Sequence, residues 1–96
     1  MGKRIKTGQK QHDEAVLRSV KWYESQGYKV KADLPDYDKP KKIKGYIPDW
    51  IAKKGKKEII GEVETKDTNQ KDKDQQKAFK EYAKEKRTVE FKKRII

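Results

Sequence analysis

Pro48-Asp49-Trp50-Ile51-Ala52-Lys53-Lys54-Gly55-Lys56-Lys57-Glu58-Ile59-Ile60-Gly61-Glu62-Val63-Glu64 reads as two strands and the turn between them. The strand-like runs are Tyr46–Ala52 and Glu58–Glu64, and the lysine-rich pentapeptide with Gly55 at its centre separates them. A two-residue loop with Gly55 first and Lys56 second suits a type II′ turn, whose first central position takes glycine. That turn pairs Lys54 with Lys57 and, counting back along both strands, places Asp49 across from Glu62 with Cβ atoms about 5 Å apart. Glu64 falls on the same face because side chains alternate with period two. Ile51 and Ile60 continue this face towards the turn, while Trp50, Ile59 and Val63 line the other. Both faces are partly apolar, as a central sheet with a helix on each side requires. A register slip of one residue would carry Asp49 to the opposite face.

Outward from the hairpin, the rest of the chain falls into order. Met1–Gln11 is basic, polar and without periodicity, and reads as an arm. From His12 onward Ala15, Val16, Val20 and Tyr23, with Leu17 and Trp22 alongside, recur at three- and four-residue spacing, which marks an amphipathic helix. Gly27 stands where its C-terminal cap would sit. Tyr28–Ala32 reads as a short strand, and Asp33–Gly45, with Pro35 and Pro40, as a loop. Thr65–Lys71 is polar and turn-forming. Asp72–Lys86 reads as a second helix with Ala78, Phe79, Tyr82 and Ala83 on one stripe, and Thr88–Ile95 as a closing strand. The predicted order is α-β-β-β-α-β, with residues 1–11 a flexible arm and 12–96 one domain.

The 96 residues carry 27 Lys and Arg against 16 Asp and Glu, a net charge of +11, and only 31% of them are apolar. Typical domains hold about 45–50% apolar residues, and a chain of this size buries only about 60–65% of its unfolded surface. The core is therefore thin, one small sheet under two helices. The positive excess points to a polyanionic partner. The absence of cysteine excludes disulfides and thiolate metal sites. A single histidine excludes zinc chemistry that needs two or three imidazoles from one chain. No apolar run approaches the roughly 20 residues of a membrane span, and the first residues lack a secretory apolar segment, so a cytoplasmic location is expected.

Like charges facing each other across a sheet repel. A cation between them removes the penalty, and hard oxygen donors without cysteine or clustered histidine select Mg²⁺ or Mn²⁺. Such an ion on a basic surface suits phosphodiester hydrolysis, because it activates water and neutralises charge on the phosphate. The plainer reading of the same residues is a solvated strand end whose acids offset neighbouring lysines.

Order and spacing favour the first reading. Pro48-Asp49, then Glu62-Val63-Glu64, after a helix carrying Glu14, resembles the PD-(D/E)XK nuclease superfamily, with its restriction endonuclease-like and archaeal Holliday junction resolvase-like core. The resemblance spans His12 to about Ile95. It implies an α/β (α+β) fold, an α-β-β-β-α-β core with a small mixed sheet flanked by helices, and a metal-dependent DNA endonuclease. Carried over by position, Asp49 and Glu62 would ligate Mg²⁺ or Mn²⁺, Val63 would add its backbone carbonyl, and Glu14 would complete the metal site. His12 competes for that helix position. Gln75 resembles the glutamine on the second helix of resolvase-like members, and helical spacing sets it with Phe79 and Tyr82 on one face. The chain departs from the pattern at Glu64, which replaces the usual motif lysine. Lys66 has the same strand parity and would supply that charge if the strand continues.

Lys39, Lys41, Lys42, Lys44, Lys53, Lys54, Lys56 and Lys57 flank the acids in sequence and form the expected DNA-contacting surface. Lysine outnumbers arginine 23 to 4, which favours phosphate contacts and shape recognition over base reading. Trp22, Tyr23, Trp50, Phe79 and Tyr82 occupy core-compatible positions, leaving Tyr37 and Tyr46 as the most exposed aromatics. The expected partners are DNA and a second copy of the chain, with Ile95-Ile96 and a free edge strand as interfaces, and no membrane. A catalytically inactive DNA-binding module that keeps the fold is the competing reading, with Glu64 as its main support.

Overall fold

The hairpin forms because Gly55 takes a φ of 60° while Lys56 stays on the negative side, as a type II′ turn demands. It joins β2 (Trp50–Lys54) to β3 (Lys57–Glu64). Their register is Lys54↔Lys57, Ile51↔Ile60 and Trp50↔Gly61, the register read from the sequence. The computed structural model describes residues 6–96, with side-chain surroundings from Lys10 onward. The remaining elements are α1 (Lys6–Ser25), β1 (Lys29–Ala32), α2 (Lys66–Lys71), α3 (Lys73–Glu85) and β4 (Val89–Ile95).

The strands lie in the order β1-β2-β3-β4. The first three are antiparallel neighbours, and β4 runs parallel to β3. A parallel pair needs a long crossover connection, which α2 and α3 supply. The result is a small mixed sheet with flanking helices, an α+β fold of the expected class. Helix α1 covers one face through Ala15, Val16 and Val20, packed with Ala32, Trp50, Ala52, Ile59 and Val63. Phe79 of α3 covers the other with Ile43, Ile51, Ile60 and Val89. Among the described residues, no helix is long and apolar enough to cross a membrane.

Trp50 and Gly61 hold the α1 face together. A Cβ placed on Gly61 would lie 1.8 Å from Cε2 of the Trp50 indole, so the ring rests directly on the glycine backbone. Trp50 is 3% exposed, and its indole N–H is buried with no acceptor among the described residues. Such an orphan donor costs about 1–3 kcal/mol.

The structure departs from the sequence reading in several places. Helix α1 begins at Lys6 and not at His12, so most of the expected arm is helical; Met1–Ile5 lie outside the described residues. The first hairpin strand starts at Trp50 because Ile43 and Tyr46 bond each other across a tight turn, with Lys44 at φ 51° and Gly45 at φ 91°. Thr65–Lys71 is not a turn: Thr65 and Thr68 form a capping box that starts α2. Trp22, expected in the core, is 57% exposed. Tyr37 and Tyr46, expected to be exposed, pack against the two cores. Their proximity to a loop was the misleading signal, since the loop folds back over the sheet.

Gly61→Ala tests the indole's seat. Overpacking of this kind costs about 1–3 kcal/mol or more, and 1 kcal/mol moves the melting point of a domain this size by about 4–8 °C. A thermal melt should show a loss of roughly 10 °C or more; an unchanged midpoint would mean that the ring lies elsewhere.

Candidate active site

The antiparallel ladder ends at Asp49, and its side chain takes over where the backbone stops. The Asp49 N–H donates to the Gly61 carbonyl at 3.1 Å and to Glu62 Oε2 at 2.9 Å. The Val63 N–H donates to Asp49 Oδ2 at 2.8 Å. On the other side, the Asp33 N–H donates to the Asp49 carbonyl at 2.9 Å, tying the residue to the segment after β1. Asp49 and Glu62 thus meet at the open end of the hairpin, each fastened to the other's strand.

Two helices complete the arrangement. His12 of α1 donates from Nε2 to Asp49 Oδ2 at 3.2 Å, and its Nδ1 lies 3.2 Å from Asp13 Oδ1. Gln75 of α3 donates from Nε2 to Glu62 Oε1 at 2.8 Å. The Glu62 carboxyl is pushed up to about 10 by burial, then by the charge of Asp49 and the nearby Glu64 carboxyl. The His12 imidazole is raised to about 9, chiefly by its hydrogen bond to Asp49 and against the opposing effect of its own burial. It is therefore a cation at neutral pH, and both ring nitrogens donate.

The candidate residues separate into those brought together and those left apart. Asp49, Glu62, Val63, Gln75 and His12 converge, and Glu64 is 2% exposed on the same face as Glu62. Glu14 does not join them. It is exposed and borders a separate cleft with Leu34, Pro35 and Tyr37. Two helical residues amount to about 200° of rotation, so a helix that aims His12 at Asp49 turns Glu14 away. Lys66 is also excluded: β3 ends at Glu64 and Lys66 is the exposed first residue of α2.

Two further residues stand nearby. Lys93 of β4 is the neighbour of Glu62 in the sheet, and its amine donates to Asn69 Oδ1 at 2.7 Å and Gln76 Oε1 at 2.9 Å. Gln76, 5% exposed, in turn donates to the Asn69 carbonyl. Only the parallel pairing of β3 with β4 brings Lys93 here, and no local motif announces it.

Asp49, Glu62 and the Val63 carbonyl are hard oxygen donors of the kind that holds Mg²⁺ or Mn²⁺. Among the described residues no three or more His, Cys, Asp and Glu side chains form a ready-made metal cage. Mg²⁺ does not require one, since it commonly binds through one or two carboxylates and keeps its waters. The donor set therefore fits such an ion. The upward push on Glu62 comes first from burial and then from the neighbouring acids, and a divalent cation opposes it by favouring the charged carboxylate.

Much of the expected lysine surface is engaged within the chain. Lys39 pairs with Asp33, Lys44 with Glu85, and Lys57 with Glu90 at 3.7 Å. Lys41 lies 3.5 Å from buried Glu58 and donates to the Tyr82 hydroxyl, and Lys54 donates to the Gln26 carbonyl above the Tyr28 ring. Lys42, Lys53 and Lys56 make no such contact among the described residues. The acids that engage the others come from distant parts of the chain, out of reach of a local count.

The single histidine makes one test clean. Its folded-state value lies above the unfolded 6.5, so its stabilising contribution is complete below pH 6.5 or so and lost as pH rises through about 9. In metal-free protein an NMR titration of the imidazole should show a midpoint near 9, falling towards 6.5 in Asp49→Asn. A wild-type midpoint near 6.5 would refute the His12–Asp49 contact.

A profile of the AHJR-like family, described as REase_AHJR-like, matches residues 4–91. No curated protein and no solved structure gives a significant match. The matched span contains the hairpin, both flanking helices and every residue gathered at its open end, and the chain belongs to the AHJR-like family of restriction endonuclease-like proteins of the PD-(D/E)XK superfamily.

Proposed function

We propose that the chain is a Mg²⁺- or Mn²⁺-dependent DNA endonuclease that hydrolyses phosphodiester bonds at the Asp49–Glu62 pair. Its family is one of restriction endonuclease-like proteins, for which nuclease activity on DNA and a divalent metal are usual. The observation that carries the reading is the meeting of two carboxylates from adjacent strands, fastened by Val63 N–H, His12 and Gln75. A fold gains nothing in stability from a buried acid crowded by another, so the arrangement points to a positive ligand.

In this reading Asp49, Glu62 and the Val63 carbonyl hold the ion, which when bound activates water and offsets charge on the scissile phosphate. Gln75 fixes the Glu62 carboxylate by holding Oε1. His12 and the Val63 N–H fix Asp49, and the imidazolium adds positive charge beside the phosphate. Glu64 occupies the position of the motif lysine, and Lys93, beside Glu62 in the sheet, is a closer source of positive charge than Lys66. Exposed ion pairs contribute little to stability, so DNA phosphates can compete for Lys39, Lys44 and Lys57, while Lys42, Lys53 and Lys56 are free to bind. A homodimer through the open edge of β4 and the exposed Ile95 and Ile96 would present two such sites.

A second reading, a DNA-binding module without turnover, draws on Glu64 and on the protein donors that already engage both carboxylates. Cleavage of supercoiled plasmid and branched duplex with Mg²⁺ or Mn²⁺, with and without chelator, separates the two. Asp49→Ala and Glu62→Ala should abolish cutting with the fold intact. Gln75→Ala should slow it about 10–100-fold, as loss of a group orienting a ligand does, and Glu64→Lys should be tolerated. Cutting retained in Asp49→Ala removes the site, and binding without any cutting favours the module.

Replacing Lys42, Lys53 and Lys56 by glutamine should reduce the salt dependence of DNA affinity by about 0.9 in logarithmic slope for each phosphate no longer neutralised. Fluorescence anisotropy across a salt series measures it, and an unchanged slope would place the DNA surface elsewhere.

A further inference from the structure

A cleft of about 550 Å³ lies between α1 and β4, within the size range of ligand sites. Arg18 and Trp22 of α1 form one wall, Lys92 and Arg94 of β4 the other, and Trp50 and Glu62 also border it. We propose that this cleft binds an unpaired stretch of DNA, with a base stacked on Trp22 and flanking phosphates on Arg18 and Arg94. The inference deepens the nuclease reading and rests on it for the identity of the polyanion, since it assigns the enzyme a substrate with a single-stranded segment.

Four observations carry it. Trp22 is 57% exposed although it belongs to a helix whose neighbouring residues make the core. It meets Tyr23 at 87° with ring centroids 4.8 Å apart, a contact that leaves indole surface open. The chain has only four arginines, and two of them, Arg18 and Arg94, line this one cleft without an ion pair among the described residues. Trp50 lines the same cleft and meets Tyr23 with ring centroids 4.8 Å apart, extending the aromatic wall that begins at Trp22.

Aromatic platforms within a positive groove are what single strands require: each base offers a π-face, and the guanidinium fork matches phosphate. A continuous duplex hides those faces in its own stack, so Trp22 distinguishes unpaired from paired DNA. Glu62 also borders the cleft, while its carboxyl turns towards Gln75 of α3.

The test is binding of a labelled oligothymidylate and of a blunt duplex, both in chelator so that turnover plays no part. Wild type should bind the single strand with quenching of tryptophan emission. Trp22→Ala should lower the ratio of single-strand to duplex affinity about tenfold, the loss expected for one stacked base. Trp22→Phe should restore most of it, and Arg18→Glu with Arg94→Glu should lower it independently. Trp22 is exposed, and a matching melting point checks that the variant is folded. An unchanged ratio in the Trp22 and arginine variants overturns the proposal, as does a Trp22→Ala effect that appears only as a change in oligomeric state, which would give the cleft to a second copy of the chain. Trp22-dependent binding without plasmid cutting keeps the cleft and removes the nuclease. Plasmid cutting with Trp22-independent binding does the reverse.

Discussion

The hydrogen bond from the Val63 N–H to Asp49 Oδ2, at 2.8 Å, settles where everything else at this end of the molecule stands. A backbone donor on an interior strand must find an acceptor. Beyond Trp50 the partner strand ends, and the paired ladder stops at Gly61, short of Val63. The Asp49 carboxylate closes the gap, and in doing so it is carried against the edge of β3 beside Glu62. The register that permits this depends on Gly55 in the turn and on Gly61 under Trp50, two glycines at opposite ends of the same hairpin. The pairing of acids is thus a consequence of how the ladder terminates.

Placing two acids together is costly, and the chain answers with positive and neutral donors drawn from both faces of the sheet. His12 reaches Asp49 from α1, and Gln75 reaches Glu62 from α3. Each layer of the fold therefore contributes one group to the same point, and the sheet's open end is where the layers can meet. Around it the +11 charge is unevenly available: several lysines are occupied by Asp33, Glu58, Glu85 and Glu90, while Arg18 and Arg94 face an open cleft. Availability of charge, more than its count, decides where an anionic strand can lie.

Short-range features were legible in the sequence. The turn, the pairing of Asp49 with Glu62, the alternation of Ile51 and Ile60 against Trp50 and Val63, and the inward face of α3 with Gln75 all follow from periods of two and 3.6 residues read over a few positions. What escaped depends on rotation or distance. His12 and Glu14 sit two residues apart, and which one faces the sheet is set by how α1 packs. Lys66 falls outside the site because the Thr65–Thr68 capping box ends β3 before it. Lys93 enters only through a parallel strand some thirty positions away in sequence, and Gln76 of α3 through its bond to Lys93. Trp22 resembles core because its neighbours are core, and its exposure follows from β4 leaving the α1 face open.

The most direct measurement follows amide resonances during a substoichiometric titration with Mn²⁺, whose paramagnetism broadens nuclei near the bound ion. An ion held by Asp49, Glu62 and the Val63 carbonyl should first broaden the amides of those residues and of His12, with the effect abolished in Glu62→Gln. Broadening centred on other acids, or spread evenly over the chain, would contradict a cation site at the end of the hairpin.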